Sequence, residues 1–180
     1  MENFGGNFPQ NFDDLLKLKG IGQYTASAIA SFAFNQPHAV VDGNVKRVIA
    51  RIFGVEVPVN NSSGEKHIWK LANEILDKSN PGIFNQAIME FGALVCMPRN
   101  PNCNQCVCKK ECFAFNHDKT DQLPIINKSQ KKKTIHVNYL VVIDNSDDTL
   151  HFIIRKRKSQ GIWKNLYDFP SIELERKISP

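Results

Sequence analysis

No stretch of this 180-residue chain approaches the roughly 18 consecutive apolar residues that a membrane-spanning helix needs. The N-terminus, Met1-Glu2-Asn3-Phe4-Gly5-Gly6, lacks the basic and apolar regions of a secretory leader, so a cytosolic protein without membrane contact is expected. Cysteine is missing everywhere except between Cys96 and Cys112, where all five fall. That excludes a secreted scaffold stapled by scattered disulfides and favours a local metal or cluster site. Acidic residues are in the minority, 18 Asp+Glu against 23 Lys+Arg, for a net charge of +5. With 42% hydrophobic residues the chain has enough apolar material for a core and is no disordered tail.

The positive charge is concentrated. Lys128, Lys131, Lys132 and Lys133 form one cluster and Arg155, Lys156, Arg157 and Lys158 another; without these side chains the protein would be net acidic. The stretch Ser129-Gln130-Lys131-Lys132-Lys133 reads first as a solvated linker between domains and second as a polyanion contact.

Hydrophobic periodicity predicts helices for the first two thirds. A short one over Phe12 to Leu18 is interrupted by Lys19-Gly20-Ile21-Gly22. A second places Ala28, Ile29, Phe32 and Ala33 at helical spacing and ends at Pro37. A third starts near Asn44, with Val45, Val48, Ile49 and Ile52 on one face and Lys46, Arg47 and Arg51 off it. Ser62 and Glu65 have capping-box spacing before Ile68, Leu71, Ala72, Ile75 and Leu76, and Pro81-Gly82 stops that helix. Phe84, Ala87, Ile88, Phe91, Leu94 and Val95 then lead to Cys96. Beyond Cys112 the period changes to two: a strand over 134–143, a turn at Asp144-Asn145-Ser146-Asp147-Asp148, and a returning strand over 149–155. The expected class is α+β.

Three features carry chemistry. The spacing Cys96-x6-Cys103-x2-Cys106-x5-Cys112, with Cys108 inside, can converge four thiolates on a soft or borderline metal, either an iron–sulfur cluster or zinc. Zinc sites more often pair two short knuckles, and here only the middle pair has that spacing. Helix, Gly20-Ile21-Gly22, helix is a hairpin whose glycines permit a tight turn and leave amides at a helix start free for a phosphate oxygen. Asp42 precedes a helix, where a cap worth about 0.5–2 kcal/mol is the plain reading.

Taken in order, Leu18-Lys19-Gly20-Ile21-Gly22-Gln23-Tyr24-Thr25-Ala26, Val41-Asp42-Gly43-Asn44-Val45-Lys46-Arg47 and the cysteine loop resemble the helix-hairpin-helix DNA glycosylases that carry an iron–sulfur cluster. The resemblance is greatest to adenine glycosylases of the MutY type and runs from about Gly5 to Ile172. It implies removal of adenine mispaired with 8-oxoguanine or guanine, from double-stranded DNA, by a monomer. It implies a [4Fe-4S] cluster on Cys96, Cys103, Cys106 and Cys112, with Cys108 a non-ligand or an exchange partner of Cys106. Asp42 becomes the stabiliser of an oxocarbenium-like sugar or a transient nucleophile, and Asn44 orients it. Tyr24 stands where endonuclease III-type relatives have a Schiff-base lysine, which implies a glycosylase without a strong lyase step. Gln86 falls where the extruded adenine is contacted, and Lys19, Gly20, Ile21, Gly22, Gln23, Tyr24, Thr25 and Lys46 on the DNA-binding surface. The compartment would be that of the DNA: cytoplasm in a bacterium, nucleus or mitochondrion in a eukaryote.

The implied organisation is a remnant of a six-helix domain over 1–36, a helical cluster domain over 37–116, a linker over 117–133 and the start of a Nudix-like β-rich domain over 134–180. Gly161-Ile162-Trp163-Lys164-Asn165-Leu166-Tyr167-Asp168-Phe169-Pro170 belongs to that last part, which has no acidic Nudix metal box. The family's proton-donating glutamate lies in a segment before the hairpin; Glu2, Asp13 and Asp14 have no matching context. The expectation is a fragment short at both ends and inactive alone. The alternatives are a non-catalytic DNA-binding cluster module, an endonuclease III-like glycosylase and a zinc-binding interaction protein.

Overall fold

The computed structural model describes residues 4–127, 135–144, 146, 149–158 and 163–174. The lysine cluster from Lys128 to Lys133 and the Gly161-Ile162 pair lie outside the described residues. The chain divides into two compact units, Met1–Lys128 and Ser129–Pro180. Among the described residues no helix is long and apolar enough to cross a membrane.

The first unit is helical: α1 (Phe12–Leu16), α2 (Gln23–Phe34), α3 (Gly43–Phe53), α4 (Ser62–Ile75), α5 (Pro81–Leu94) and the short α6 (Phe113–Asn116). The α1–α2 hairpin closes on a small core of Leu15, Ala26 and Ala30, against which Phe12, Leu18, Ile21 and Ile29 pack. The buried face of α2 is Ala26, Ser27, Ala30 and Ser31, and Phe32 is exposed. The predicted face was rotated because small residues, not large ones, let helices approach closely here: a Cβ on Gly82 of α5 would stand 3.0 Å from the Ser31 carbonyl oxygen. Helix α2 ends at Asn35, in the left-handed region, before Pro37 is reached.

Helix α3 is the centre of the unit. Val45, Val48 and Ile49 are buried as their spacing predicts and Ile52 is half-buried, but Ala50 is buried too, and so are Arg47 and Arg51, which are 9% and 2% exposed. The expectation that both arginines sit off the buried face is corrected: α3 is covered on almost all sides, and the guanidinium groups serve carbonyls in the cysteine loop. The larger core joins Val41, Val45 and Ile49 to Val55, Val59, Ile68 and Ala72, with Ile88 and Met89 of α5 against it.

Other helix ends also differ from expectation. Asn61, not Ser62, caps α4, its Oδ1 accepting from the Gly64 amide at 2.7 Å. Gly64, in the first turn of α4, lies so close to the Pro58 carbonyl oxygen that any side chain there would clash with it. Helix α4 stops at Leu76, and Asp77 organises the turn by accepting from the Ser79 and Asn80 amides. Pro81 starts α5 instead of ending α4, at the first helical position, where its missing N–H is not needed. On α5 the buried positions are Pro81, Asn85 and Gly92, while Ala87 and Leu94 face solvent.

The second unit is built of short antiparallel pairs. Strand β1 (His136–Tyr139) pairs with β6 (Ser171–Leu174), β2 (Ile143–Asp144) with β3 (His151–Phe152), and β4 (Arg155–Lys156) with β5 (Tyr167–Asp168). The strand predicted over 134–143 is therefore broken into β1 and β2, which take different partners, so one continuous hairpin does not form. The hairpin survives only in β2 and β3. In the basic cluster, Arg157 bridges Asp168 at 2.6 Å and Glu173 at 2.7 Å, and Arg155 donates to the Ser171 carbonyl at 3.0 Å.

Gly54, the cap after α3, has φ 67°, and a Cβ there would lie 2.5 Å from the Phe113 ring. Gly20 also has positive φ, 87°, but a Cβ there meets nothing within 4 Å. Gly54→Ala is expected to cost about 2–4 kcal/mol, combining left-handed strain with overpacking, and Gly20→Ala only about 1–2 kcal/mol. Denaturant unfolding of the two variants side by side checks the order; equal losses would mean that the Phe113 ring yields without cost.

Candidate active site

The hairpin turn is held by its own backbone. The Leu18 amide donates to the Leu15 carbonyl and the Ile21 amide to the Leu18 carbonyl, each at 3.1 Å, while Gly20 takes the left-handed conformation. Gly22 is the cap of α2 and has no side chain with which to bind the first-turn amides, and no acidic residue stands in that turn. The positive end of α2 is thus free of an internal anion. Lys19, Gly20, Gly22, Gln23 and Tyr24 are exposed around it; Thr25 is half-buried, and Ile21 turns inward to the hairpin core.

The segment from α2 to α3 is extended but belongs to no sheet, so its backbone must be satisfied by side chains. Asn85, buried on α5, accepts from the Val40 amide at 3.0 Å and donates to the His38 carbonyl at 2.9 Å. Asn73 of α4 accepts from the Ala39 amide at 3.3 Å. These bonds deliver the chain to Asp42 in a fixed position. Asn85 was not anticipated from sequence. Its signal is a polar residue at an inward position of an otherwise apolar helical stripe.

Asp42 performs two tasks with one carboxylate. Its Oδ1 accepts from the Val45 amide at 2.7 Å, which caps α3, and its Oδ2 accepts from Asn44 Nδ2 at 3.1 Å. Asn44 is fixed in turn, because Arg47 Nη2 donates to its Oδ1 at 3.0 Å and to the Gly92 carbonyl at 2.7 Å. Arg47 Nε reaches the Cys96 carbonyl at 2.8 Å. A line of hydrogen bonds therefore runs from the carboxylate to the first cysteine. Burial pulls the Arg47 guanidinium below its ordinary pKa, opposed by the negative charge of Cys96 and Asp42 and reinforced by neighbouring Arg51. The cue for both arginines is their separation of four residues, one helical turn apart on the face that meets the cysteines.

Cys96, Cys103, Cys106 and Cys112 line one pocket together with Arg51, Phe91 and Thr120; Cys108 is not in its lining. All five cysteines are free thiols. Burial pushes the Cys103 thiol up, and the negative charge of Cys106, Cys96 and Cys112 pushes it further, against the pull of Arg51. A cationic centre would relieve that repulsion, and a soft thiolate set fits an iron–sulfur cluster or zinc. Among the described residues no group of three or more His, Cys, Asp or Glu side chains is set to hold a single metal ion.

Gln86 is exposed on α5 and donates to Glu90 at 3.1 Å, while its neighbour Asn85 takes the buried role. Lys46 is paired with Glu65 at 2.6 Å, so its charge is already partly matched inside the protein.

Residues 3–32 match the helix-hairpin-helix motif family. The chain is 38% identical over 178 residues to an adenine DNA glycosylase of Buchnera aphidicola subsp. Schizaphis graminum, covering 98% of this chain and 50% of the relative. It is 37% identical to an adenine DNA glycosylase of Arabidopsis thaliana, covering 94% and 29% respectively. The structure resembles that of a thermostable thymine-DNA glycosylase, with 35% identity and a TM-score of 0.58 over 64% of this chain and 52% of the other. An endonuclease III–DNA complex aligns at 26% identity and a TM-score of 0.53, over 67% and 52%. Over nearly its whole length the chain is similar to adenine DNA glycosylases, and its helical part to solved DNA glycosylases. It spans at most about half the length of these adenine glycosylase relatives.

Helices α3 and α5 touch at Gly92, where a Cβ would lie 2.7 Å from Asn44 Cβ. Gly92→Ala is expected to displace Asn44 from Asp42 and to destabilise by about 1–3 kcal/mol. Denaturant unfolding measures the loss, and a crystal structure of the variant with Asn44 unmoved would refute the displacement.

Proposed function

We propose that these residues carry the hairpin, the catalytic carboxylate and the cluster loop of a base-excision repair glycosylase that removes adenine mispaired with 8-oxoguanine or guanine. The observation that carries this reading is the fixed carboxylate of Asp42, one oxygen spent on the helix cap and the other held by Asn44 beside it. Breaking an N-glycosidic bond builds positive charge on the sugar, which a preorganised carboxylate stabilises. At 4 Å and an effective dielectric of 20 the attraction is about 4 kcal/mol, roughly a thousandfold in rate. The hairpin binds a phosphate through the first-turn amides of α2, with exposed Lys19 adding charge, while Lys46 of α3 meets the DNA once it leaves Glu65. Tyr24, 44% exposed at that turn, has no amine for a Schiff base, so the reaction ends at base release. Gln86 offers an amide edge to the extruded adenine.

Cys96, Cys103, Cys106 and Cys112 hold a [4Fe-4S] cluster in this reading, with Cys108 outside the ligand set. When bound, the cluster would tie four points of the loop together. Residues 1–36 belong to a six-helix domain, 37–116 to the cluster domain, 117–133 to a linker and 134–180 to a partial Nudix-like domain. The protein acts as a monomer on double-stranded DNA, in the compartment that holds that DNA.

Among the described residues the hydrogen-bond partners of Asp42 are Asn44 and Val45, and Asp14 is already tied to Lys17 and Asn11. Neither of these two carboxyls is free to protonate the departing adenine, a step worth about 10²–10⁴ in rate. The same observation favours, as a second reading, a DNA-binding module without catalysis. The 180 residues alone are expected to show no repeated turnover on an A:8-oxoguanine duplex; steady release of adenine over several equivalents would contradict this. In the gene product as cells make it, Asp42→Asn is expected to slow adenine release by about a thousandfold while duplex binding is unchanged. Binding lost in step with activity, or no activity before the change, would leave Asp42 as a helix cap and favour the second reading.

A further inference from the structure

Arg51 is a buried cation without a carboxylate. It is 2% exposed, and among the described residues no Asp or Glu forms an ion pair with it. Its guanidinium instead collects three carbonyls: Nη1 donates to Met97 at 2.7 Å, Nη2 to Pro98 at 3.2 Å and Nε to Leu123 at 2.9 Å. Carbonyl dipoles satisfy its N–H groups but do not cancel its charge. The one group able to carry negative charge in its hydrogen-bond set is Cys96 Sγ, 3.5 Å from Nη1. The backbone of Arg51 also meets the other end of the loop, its carbonyl accepting from Cys112 Sγ at 3.5 Å. One residue therefore touches the first and the last of the four pocket cysteines.

A buried charge is tolerated when it is paired, and leaving it unpaired is expensive. The four thiolates present the opposite difficulty, since they repel one another. We infer that Arg51 is the positioning residue of the cluster site. It holds Met97, Pro98 and Leu123 so that Cys96 faces the pocket before the cluster is present, and its fixed charge becomes the counter-ion of the loaded thiolate set. The inference rests on the proposed cluster and extends it to a residue outside the ligand set. Two consequences separate charge from scaffolding. A positive charge beside the cluster favours its reduced, more negative form, so removing it must lower the midpoint potential. Losing the planar fork, with the charge kept, must loosen the loop but spare most of the potential.

The test uses the gene product purified without oxygen, as wild type, Arg51→Met, Arg51→Lys and Ile68→Ala, the last a core change away from the loop that controls for lost stability. Iron and sulfide are assayed, bleaching of the band near 400 nm by a chelator is timed, and the midpoint potential is measured by protein-film voltammetry. Arg51→Met is expected to bleach about tenfold faster or more, with a lowered potential, as supporting contacts around metal ligands generally require. Arg51→Lys is expected to bleach at an intermediate rate with a potential near wild type, and Ile68→Ala to keep the wild-type potential. If Arg51→Met does not accumulate, Arg51→Lys decides: faster bleaching at preserved potential supports the role, and wild-type bleaching refutes it. An unchanged potential in Arg51→Met, or bleaching that Ile68→Ala reproduces, overturns the role of Arg51 while leaving the cluster in place. Colourless wild-type protein containing zinc overturns the cluster reading itself, and this proposal with it.

Discussion

Two guanidinium groups inside α3 constrain most of the first unit. A buried arginine must find acceptors for five N–H groups, and α3 alone cannot offer them because its own carbonyls are spent on the helix. Arg47 finds them in Asn44, Gly92 and Cys96, and Arg51 in Met97, Pro98 and Leu123. The cysteine loop is thus folded around α3 rather than beside it, and α5 is drawn in until Gly92 meets Asn44. Gly54 completes the arrangement by leaving room for the Phe113 ring, one residue after the last pocket cysteine.

The same helix serves the carboxylate. Asp42 begins α3, and what holds Asp42 also holds the loop: the capping bond to Val45, the bond from Asn44, and the reach of Arg47 from Asn44 to Cys96. On the approach side, Asn85 and Asn73 replace a missing sheet, so the extended chain enters at a fixed angle. By contrast, the exposed end of α2 is held only within its own hairpin. A surface that meets a phosphate needs free amides, and the glycines leave them free.

Periodicity served well where a helix has one wet face. Helix α4 shows this, with Ile68 and Ala72 buried as their spacing requires. On α3 it found Val45, Val48 and Ile49 but missed Arg47 and Arg51, because a helix buried on nearly all sides turns charged residues inward as well. It failed on α2 and α5 for a different reason: Ala26, Ala30 and Gly92 are buried because they are small, and hydrophobicity alone ranks Phe32 and Leu94 above them. In the second unit, alternation over 134–143 indicated strand but not partner, and β1 pairs with β6 far along the chain.

The sequence by itself determined which chemistry is available: thiols confined to one loop, a glycine hairpin, and an aspartate ahead of an amphipathic run. These are local patterns, set by spacing and by what each side chain can bond. The tertiary structure alone decided which of these groups are joined, because the bonds from Arg47 to Gly92 and from Arg51 to Cys96 and Leu123 span 45 or more residues and depend on burial that no local pattern encodes. It also set Cys108 apart from the four cysteines that share a pocket, a distinction of position and not of chemistry.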